Sequence, residues 1–211
     1  TMCGWAKITR RASQFQYWGL ENAESNAIVY LLMGYQDNGG VGFEISTSGG
    51  VSAAFASSPT NESWFFWAIT NQGTGASDFK GYWRYMDDTS WKTATATGVN
   101  FTTALMTLGN DSWNEWCNAA FSHVKIYSAA LTQGELYTEM LAASPIRLTN
   151  LDIWSPLLNT GDISDYSGNS RHWTSVGSLS TEESPPIFVL LDLVTYTITI
   201  NDVSLSEDNN I

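Results

Sequence analysis

Residues 64–70 read WFFWAIT. Along a strand, successive side chains point to opposite faces, so Trp64, Phe66 and Ala68 share one face and Phe65, Trp67 and Ile69 share the other. Both faces are apolar, which places this strand centrally in a sheet that is covered twice. No other stretch restricts the fold so strongly.

The flanking sequence supplies neighbours for it. Residues 2–8, 15–20, 27–33, 79–86 and 152–158 carry strand-like apolar patterns separated by turn residues. A hairpin is predicted where Phe43 and Ile45 alternate, residues 47–50 turn, and Val51, Ala53 and Phe55 alternate back. Residues 105–110 read as a short strand ending in a Gly-Asn turn, and 121–127 as another. In the latter, Phe121, Val124 and Ile126 break strict alternation once, which predicts a bulge near His123. A helix over about 132–143 has a defined start. Thr132 with Glu135 forms a capping box, and Leu131 with Leu136 a hydrophobic staple. Leu136, Tyr137, Met140 and Leu141 give one apolar stripe, and Pro145 stops the element.

A chain of 211 residues, 43% of them apolar, suffices for one sizeable all-β domain or one domain with an appendage. Ten Trp, nine Tyr and nine Phe are more aromatics than a core of this size needs, so some are expected at the surface, where they mark binding. The net charge of −12 repels phosphate backbones and argues against nucleic acid as a partner. No apolar run is long enough to cross a bilayer as a helix. No leader is visible, and the chain opens almost at once into a strand, so a processed or partial chain is expected. Cys3 and Cys117 read either as two small buried hydrophobes or as a disulfide.

The L-x-x-L-G-N of residues 105–110, followed by F-x-x-V-x-I-Y-S-x-A-L-T-x-x-E-L, resembles the C-terminal part of laminin-G-like domains of the concanavalin A-like lectin/glucanase superfamily. Phe121, Val124, Lys125, Ile126, Tyr127, Leu131, Thr132, Glu135 and Leu136 stand at matching positions. Trp5 resembles the Trp of that family's early strand, and residues 64–70 its W-x-H-V-A-x-T strand, with Phe66 in place of His. Asp87-Asp88 resembles its Y-x-D-G turn, with Asp88 in place of Gly. Residues 165–173, DYSGNSRHW, resemble the D-x-S-G-N-x-x-H segment that usually introduces such domains. Here the segment follows the domain, and the strands that normally precede Trp5 are missing. The resemblance therefore implies a permuted arrangement in which residues 165–173 supply a missing strand; the alternative is a plain Ser-Gly-Asn turn. The expected fold is an antiparallel β-sandwich, a concanavalin A-like jelly roll, with one short helix. It spans residues 1–187. Residues 188–211 form a strand tail or the start of a further domain, since Val194, Tyr196, Ile198 and Ile200 alternate with threonines beyond Pro185-Pro186.

Glucanases of this superfamily carry E-x-D-x-x-E or a near variant on one strand, which puts two acids on one face. Asp87-Asp88 and Glu182-Glu183 are adjacent and would face opposite ways, so no catalytic residues are assigned and a non-enzymatic chain is expected. No cofactor is required. The family's frequent ion is Ca2+, and its oxygen ligands could come from Asp37, Asn38, Asp87, Asp88, Asp162 and Asp165, each equally readable as a turn former. Sugar binding needs an aromatic platform with polar forks. Asn110, Asp111, Asn114, Trp113 and Trp116 offer both in one loop; Trp83, Tyr85 and Trp91 offer a second cluster near Tyr82. These features are read as a recognition module that binds surface glycans on an extracellular, cell-surface or virion-exposed protein, without membrane insertion. The alternative is a structural virion protein, a bacteriophage capsid-decoration, fibre or tail component contacting neighbouring subunits in an oligomer. A divergent glycoside hydrolase is the third reading.

Overall fold

The computed structural model describes residues 1–9, 15–22, 29–36, 42–47, 52–100, 105–108, 117–175 and 179–187. Its elements are β1 (Met2–Ile8), β2 (Phe15–Asn22), β3 (Val29–Gln36), β4 (Gly42–Thr47), β5 (Ser52–Ala54), β6 (Trp64–Asn71), β7 (Phe79–Arg84), β8 (Lys92–Ala96), β9 (Leu105–Thr107), β10 (Ala119–Tyr127), α1 (Gln133–Met140) and β11 (Leu151–Ser155). Among the described residues they form two antiparallel sheets, a six-stranded one ordered β11-β10-β1-β6-β7-β8 and a five-stranded one ordered β5-β4-β3-β2-β9. The described residues form an all-β sandwich with one short helix. Residues 188–211, with the predicted strand 194–200, lie outside the described residues.

β6 sits inside the six-stranded sheet, as its double apolar pattern requires. Phe65, Trp67 and Ile69 enter the core between the sheets, where they meet Trp18, Met33, Phe43 and Ile45 of the facing sheet. Phe66 and Ala68 enter a second cluster on the far side, with Cys3, Trp5, Tyr82, Leu131, Leu136 and Met140. The rings pack edge-to-face: Trp18 lies 5.6 Å from Trp67, and Phe43 lies 5.8 Å from Phe65. Burying each such ring contributes about 2–3 kcal/mol. The sheets are close at Gly81, where an added Cβ would lie 2.3 Å from Ile45 Cγ2 and 2.8 Å from a Phe55 ring carbon.

The bulge falls where expected. Cys3 pairs with Lys125 and Trp5 with Ser122, so His123 and Val124 together oppose Gly4. His123 takes a left-handed φ of 52° to make the kink. The bulge receives the chain after β11: the His123 amide and the Ser122 hydroxyl both donate to Pro156 O, at 2.9 and 3.0 Å.

The helix begins as predicted. Glu135 N donates to Thr132 Oγ1 and Thr132 N to Glu135 Oε2, and Leu131 and Leu136 are both buried. Its stripe differs from the expectation. Leu136 and Met140 are buried, but Tyr137 and Leu141 are partly exposed and Glu139 is buried instead. The reason is Lys125 on β10. Its ammonium reaches the helix end, 2.8 Å from Glu139 Oε2, 2.9 Å from Glu139 O and 2.8 Å from Ala142 O. Glu139 in turn accepts the Ile146 and Arg147 amides at 3.1 and 2.8 Å. A charge pair with both side chains at most 1% exposed is thus saturated with hydrogen bonds. It ties helix, sheet and following loop together.

Of the two readings of the cysteines, the unpaired one holds: both are free thiols. Cys3 belongs to the cluster under α1 and Cys117 packs against the core between the sheets, so the six-stranded sheet separates them. Burial pushes both thiols up to about 12, which keeps them neutral. One further expectation is corrected: residues 165–173 supply no strand, but lie as a turn against β11, the alternative reading. β8 is a strand outside the predicted set.

Replacing Lys125 with Ala should cost about 3–5 kcal/mol, because the buried Glu139 carboxylate loses its countercharge and the helix-end carbonyls lose a charged donor. Chemical denaturation measures it, and a loss under about 1 kcal/mol would show that the pair is not the tie described. His123 generates a second expectation. Burial, with Lys125 adding to it, lowers its pKa from 6.5 to about 4. The unfolded chain therefore binds the proton first, so stability is full above pH 6.5 and falls by on the order of 2–3 kcal/mol as pH drops towards 4. A His123→Gln variant should show a flatter stability profile across that window.

Candidate functional site

Of the residues singled out for chemistry, Asn110, Asp111, Trp113, Asn114 and Trp116 lie outside the described residues, as do Asp37 and Asn38. The others are placed, and strand alternation divides them. Trp83 points between the sheets and is 2% exposed, with its ring 6.0 Å from Phe65 and 5.4 Å from Tyr85. It has no open face to offer a ligand. Tyr85 packs beside it at the end of β7, and Lys92 Nζ lies 5.0 Å from the Trp83 centroid. Tyr82 and Trp91 stand on the opposite face, 6.0 Å apart, and Trp91 also meets Phe66. There Arg84 is held between two rings, 5.4 Å from Trp91 and 4.9 Å from Tyr137 of α1. This cation–π stack joins β7 to the helix.

The acidic candidates divide similarly. Asp87 is exposed at the β7–β8 turn. Asp88 Oδ2 accepts the Tyr85 amide at 2.8 Å and pairs with Lys92, while the Asp88 carbonyl accepts from Arg84. Burial opposes ionisation of Asp88, but the Lys92 hydrogen bond and the Tyr85 amide outweigh it and leave the pKa below the ordinary value. Asp165 is the hub of the segment after β11. Its Oδ1 accepts from the amides of Trp154 (3.1 Å) and Ser167 (2.8 Å); its Oδ2 accepts from Arg171 N (3.0 Å) and Ser167 Oγ (2.9 Å). Again burial is outweighed by these donors and the pKa falls. Carboxylates so engaged with N–H and O–H donors do not fit a calcium site, which needs several free oxygens. Among the described residues no three His, Cys, Asp or Glu side chains stand together as metal ligands.

Around Asp165 the chain winds into a knot on the outer edge of the six-stranded sheet. Ser167 Oγ lies between Asp165 Oδ2 and Asp152 O, 3.0 Å from the latter, sharing its one proton, and Asn169 Nδ2 donates to the carbonyls of Leu151 (3.1 Å) and Asp152 (3.0 Å). Tyr166 N donates to Trp154 O at 2.7 Å. Trp173 Nε1 donates to Ser155 Oγ at 2.8 Å, and its ring joins the core. The knot sets Tyr166 outside, 53% exposed, with its hydroxyl donating to Asp162 Oδ1 at 2.9 Å and its ring 5.9 Å from Trp154. Arg171 lies 3.5 Å from Asp152. Of this group, Asp162 and Asp165 are the ones the sequence offers as candidate metal ligands. The usable signal was the D-x-S-G-N spacing, which marks a turn tied by its own side chains.

A second constellation, on the outer face of the five-stranded sheet, was not foreseen. Tyr17 on β2 and Glu44 on β4 sit in one cross-strand row with Gly34 of β3 between them. With no side chain on Gly34, the Tyr17 hydroxyl crosses β3 and donates to Glu44 Oε1. An added Cβ at Gly34 would lie 1.9 Å from Gln16 O, so β2 and β3 approach too closely there for any other residue.

Asp165→Ala should lower stability by about 1–3 kcal/mol, since partly buried amides of three residues lose a charged acceptor. It should also raise proteolytic cleavage between residues 156 and 175 ahead of the rest of the chain. Uniform cleavage throughout would count against a local tie. A comparison with known protein families finds no matching model, and no curated protein matches the sequence.

Proposed function

We propose that the chain is a laminin-G-like recognition module of the concanavalin A-like kind, exposed outside a cell or on a virion, that binds surface glycans without catalysis. What carries the reading is the β10–α1 unit. The residues that match the family pattern, Phe121 to Tyr127 and Leu131 to Leu136, form one strand followed by one box-capped helix. They lie against a sheet that needs covering on that side. The buried ionic groups also favour binding over turnover: Lys125, Glu139 and Asp165 are engaged in holding the fold. The two-carboxylate mechanism instead requires acids aimed at an open bond.

A second reading, a structural virion component, has one observation in its favour. Ile146 and Leu148 are 59% and 73% exposed in the loop that Glu139 pins behind α1. Apolar side chains held outward on a fixed loop fit a contact between subunits.

A glycan array and sedimentation of the whole chain separate the two. The recognition reading expects a monomer that retains defined glycans. A stable multimer that retains none would replace it with the assembly reading, and release of sugars from a polysaccharide would overturn both.

A further inference from the structure

We propose that the outer edge of the six-stranded sheet, at Tyr166, Trp154, Asp162, Asp152 and Arg171, is a binding site for a neutral oligosaccharide with adjacent hydroxyls. The inference rests on the recognition role above and assigns it a place.

The argument starts from β11. Ile153 points into the core between the sheets, so Asp152 and Trp154 point away from it, two residues apart on one face. The knot lays Tyr166 beside Trp154 and Arg171 beside Asp152 on that same face. An exposed tyrosine ordinarily swings freely. This one is fixed at both ends: its amide donates to Trp154 O at 2.7 Å and its hydroxyl to Asp162 Oδ1 at 2.9 Å. Asp165 in turn fixes the backbone at Trp154, Ser167 and Arg171, the strand beneath the patch and the positions around Tyr166. A ring that is more than half exposed yet immobilised costs little entropy on binding. The knot therefore builds a rigid aromatic surface facing solvent.

The polar groups around the ring select the ligand. A sugar ring stacks its C–H face on an aromatic and offers vicinal hydroxyls to a fork of acceptors and donors. Asp162 at the Tyr166 hydroxyl and Asp152 beside Arg171 are available to accept hydroxyls. Arg171, 56% exposed and held only at 3.5 Å by Asp152, has N–H donors to give. Two carboxylates to one guanidinium, on a chain of net charge −12, disfavour sulfated or uronic acid-rich glycans and favour neutral ones.

The test uses the full chain on an array of neutral and anionic oligosaccharides, followed by calorimetric titration of the retained sugars. Binding of neutral glycans is expected. Tyr166→Ala should weaken it at least tenfold with the melting temperature unchanged, Arg171→Gln should weaken it several-fold, and Tyr137→Ala, an exposed aromatic on α1, should leave it intact. If Tyr166→Ala fails to fold, Asp162→Asn and Arg171→Gln carry the test. Neutral glycans bound equally by wild type and the Tyr166 and Arg171 variants would overturn this site but leave the recognition role standing. Binding confined to anionic glycans would overturn the assignment of ligand. An array with no retained sugar would overturn both the site and the role.

Discussion

A six-stranded sheet with aromatic side chains on both faces must be covered twice, and every larger feature of this molecule answers that requirement. The five-stranded sheet covers one face with Trp18, Met33, Phe43 and Ile45. The other face is too wide for one helix of eight residues, so α1 covers its middle through Leu136 and Met140. The flanks are closed differently. On the β7 side Arg84 lies between Trp91 and Tyr137; at the β1–β6 end Lys7 pairs with Glu182 and Trp64 Nε1 donates to Glu183 O at 3.1 Å. The helix carries little apolar surface of its own, so its placement rests on Lys125. A lysine that rises from the sheet and satisfies helix-end carbonyls does the work of a C-cap, from a residue 14 positions earlier.

The same economy appears at the sheet edge. β11 would leave a row of unpaired carbonyls and amides, a ready template for another strand. The knot centred on Asp165 occupies that row with side-chain amides and hydroxyls, and Trp173 plugs the core beneath it. An edge blocked in this way cannot add a strand, but it can display side chains with little freedom. Edge protection and a rigid outer face are therefore two results of one arrangement.

How much of this could be read from the residues varies by element. The doubly apolar β6, the capping box of α1 and the bulge at His123 were legible because each is a local pattern with one physical solution. β8 was not, because its alternation of Thr with Ala carries almost no apolar contrast. Glu139 was hidden for the opposite reason: a glutamate on a helix is read as solvated unless its partner, on another element, is known. Grouping Trp83, Tyr85 and Trp91 as one cluster ignored the period of two along β7, which sends Tyr82 and Trp83 to opposite sides. The D-x-S-G-N spacing correctly marked a special segment. The spacing fits both a supplied strand and a turn, and bonds to β11 decide for the turn.

The position of β1 has a consequence for how the chain acquires this shape. β1 lies between β6 and β10, pairing Met2 with Ile69 on one side and with Ile126 on the other. A ribosome making the protein releases Trp5, an aromatic destined for a buried cluster, long before either neighbour exists. Completion of the central layer must wait until the segment around residue 126 has emerged, so closure of long loops rather than local zipping sets the pace. During that interval the apolar side chains of the early strand stay exposed to water.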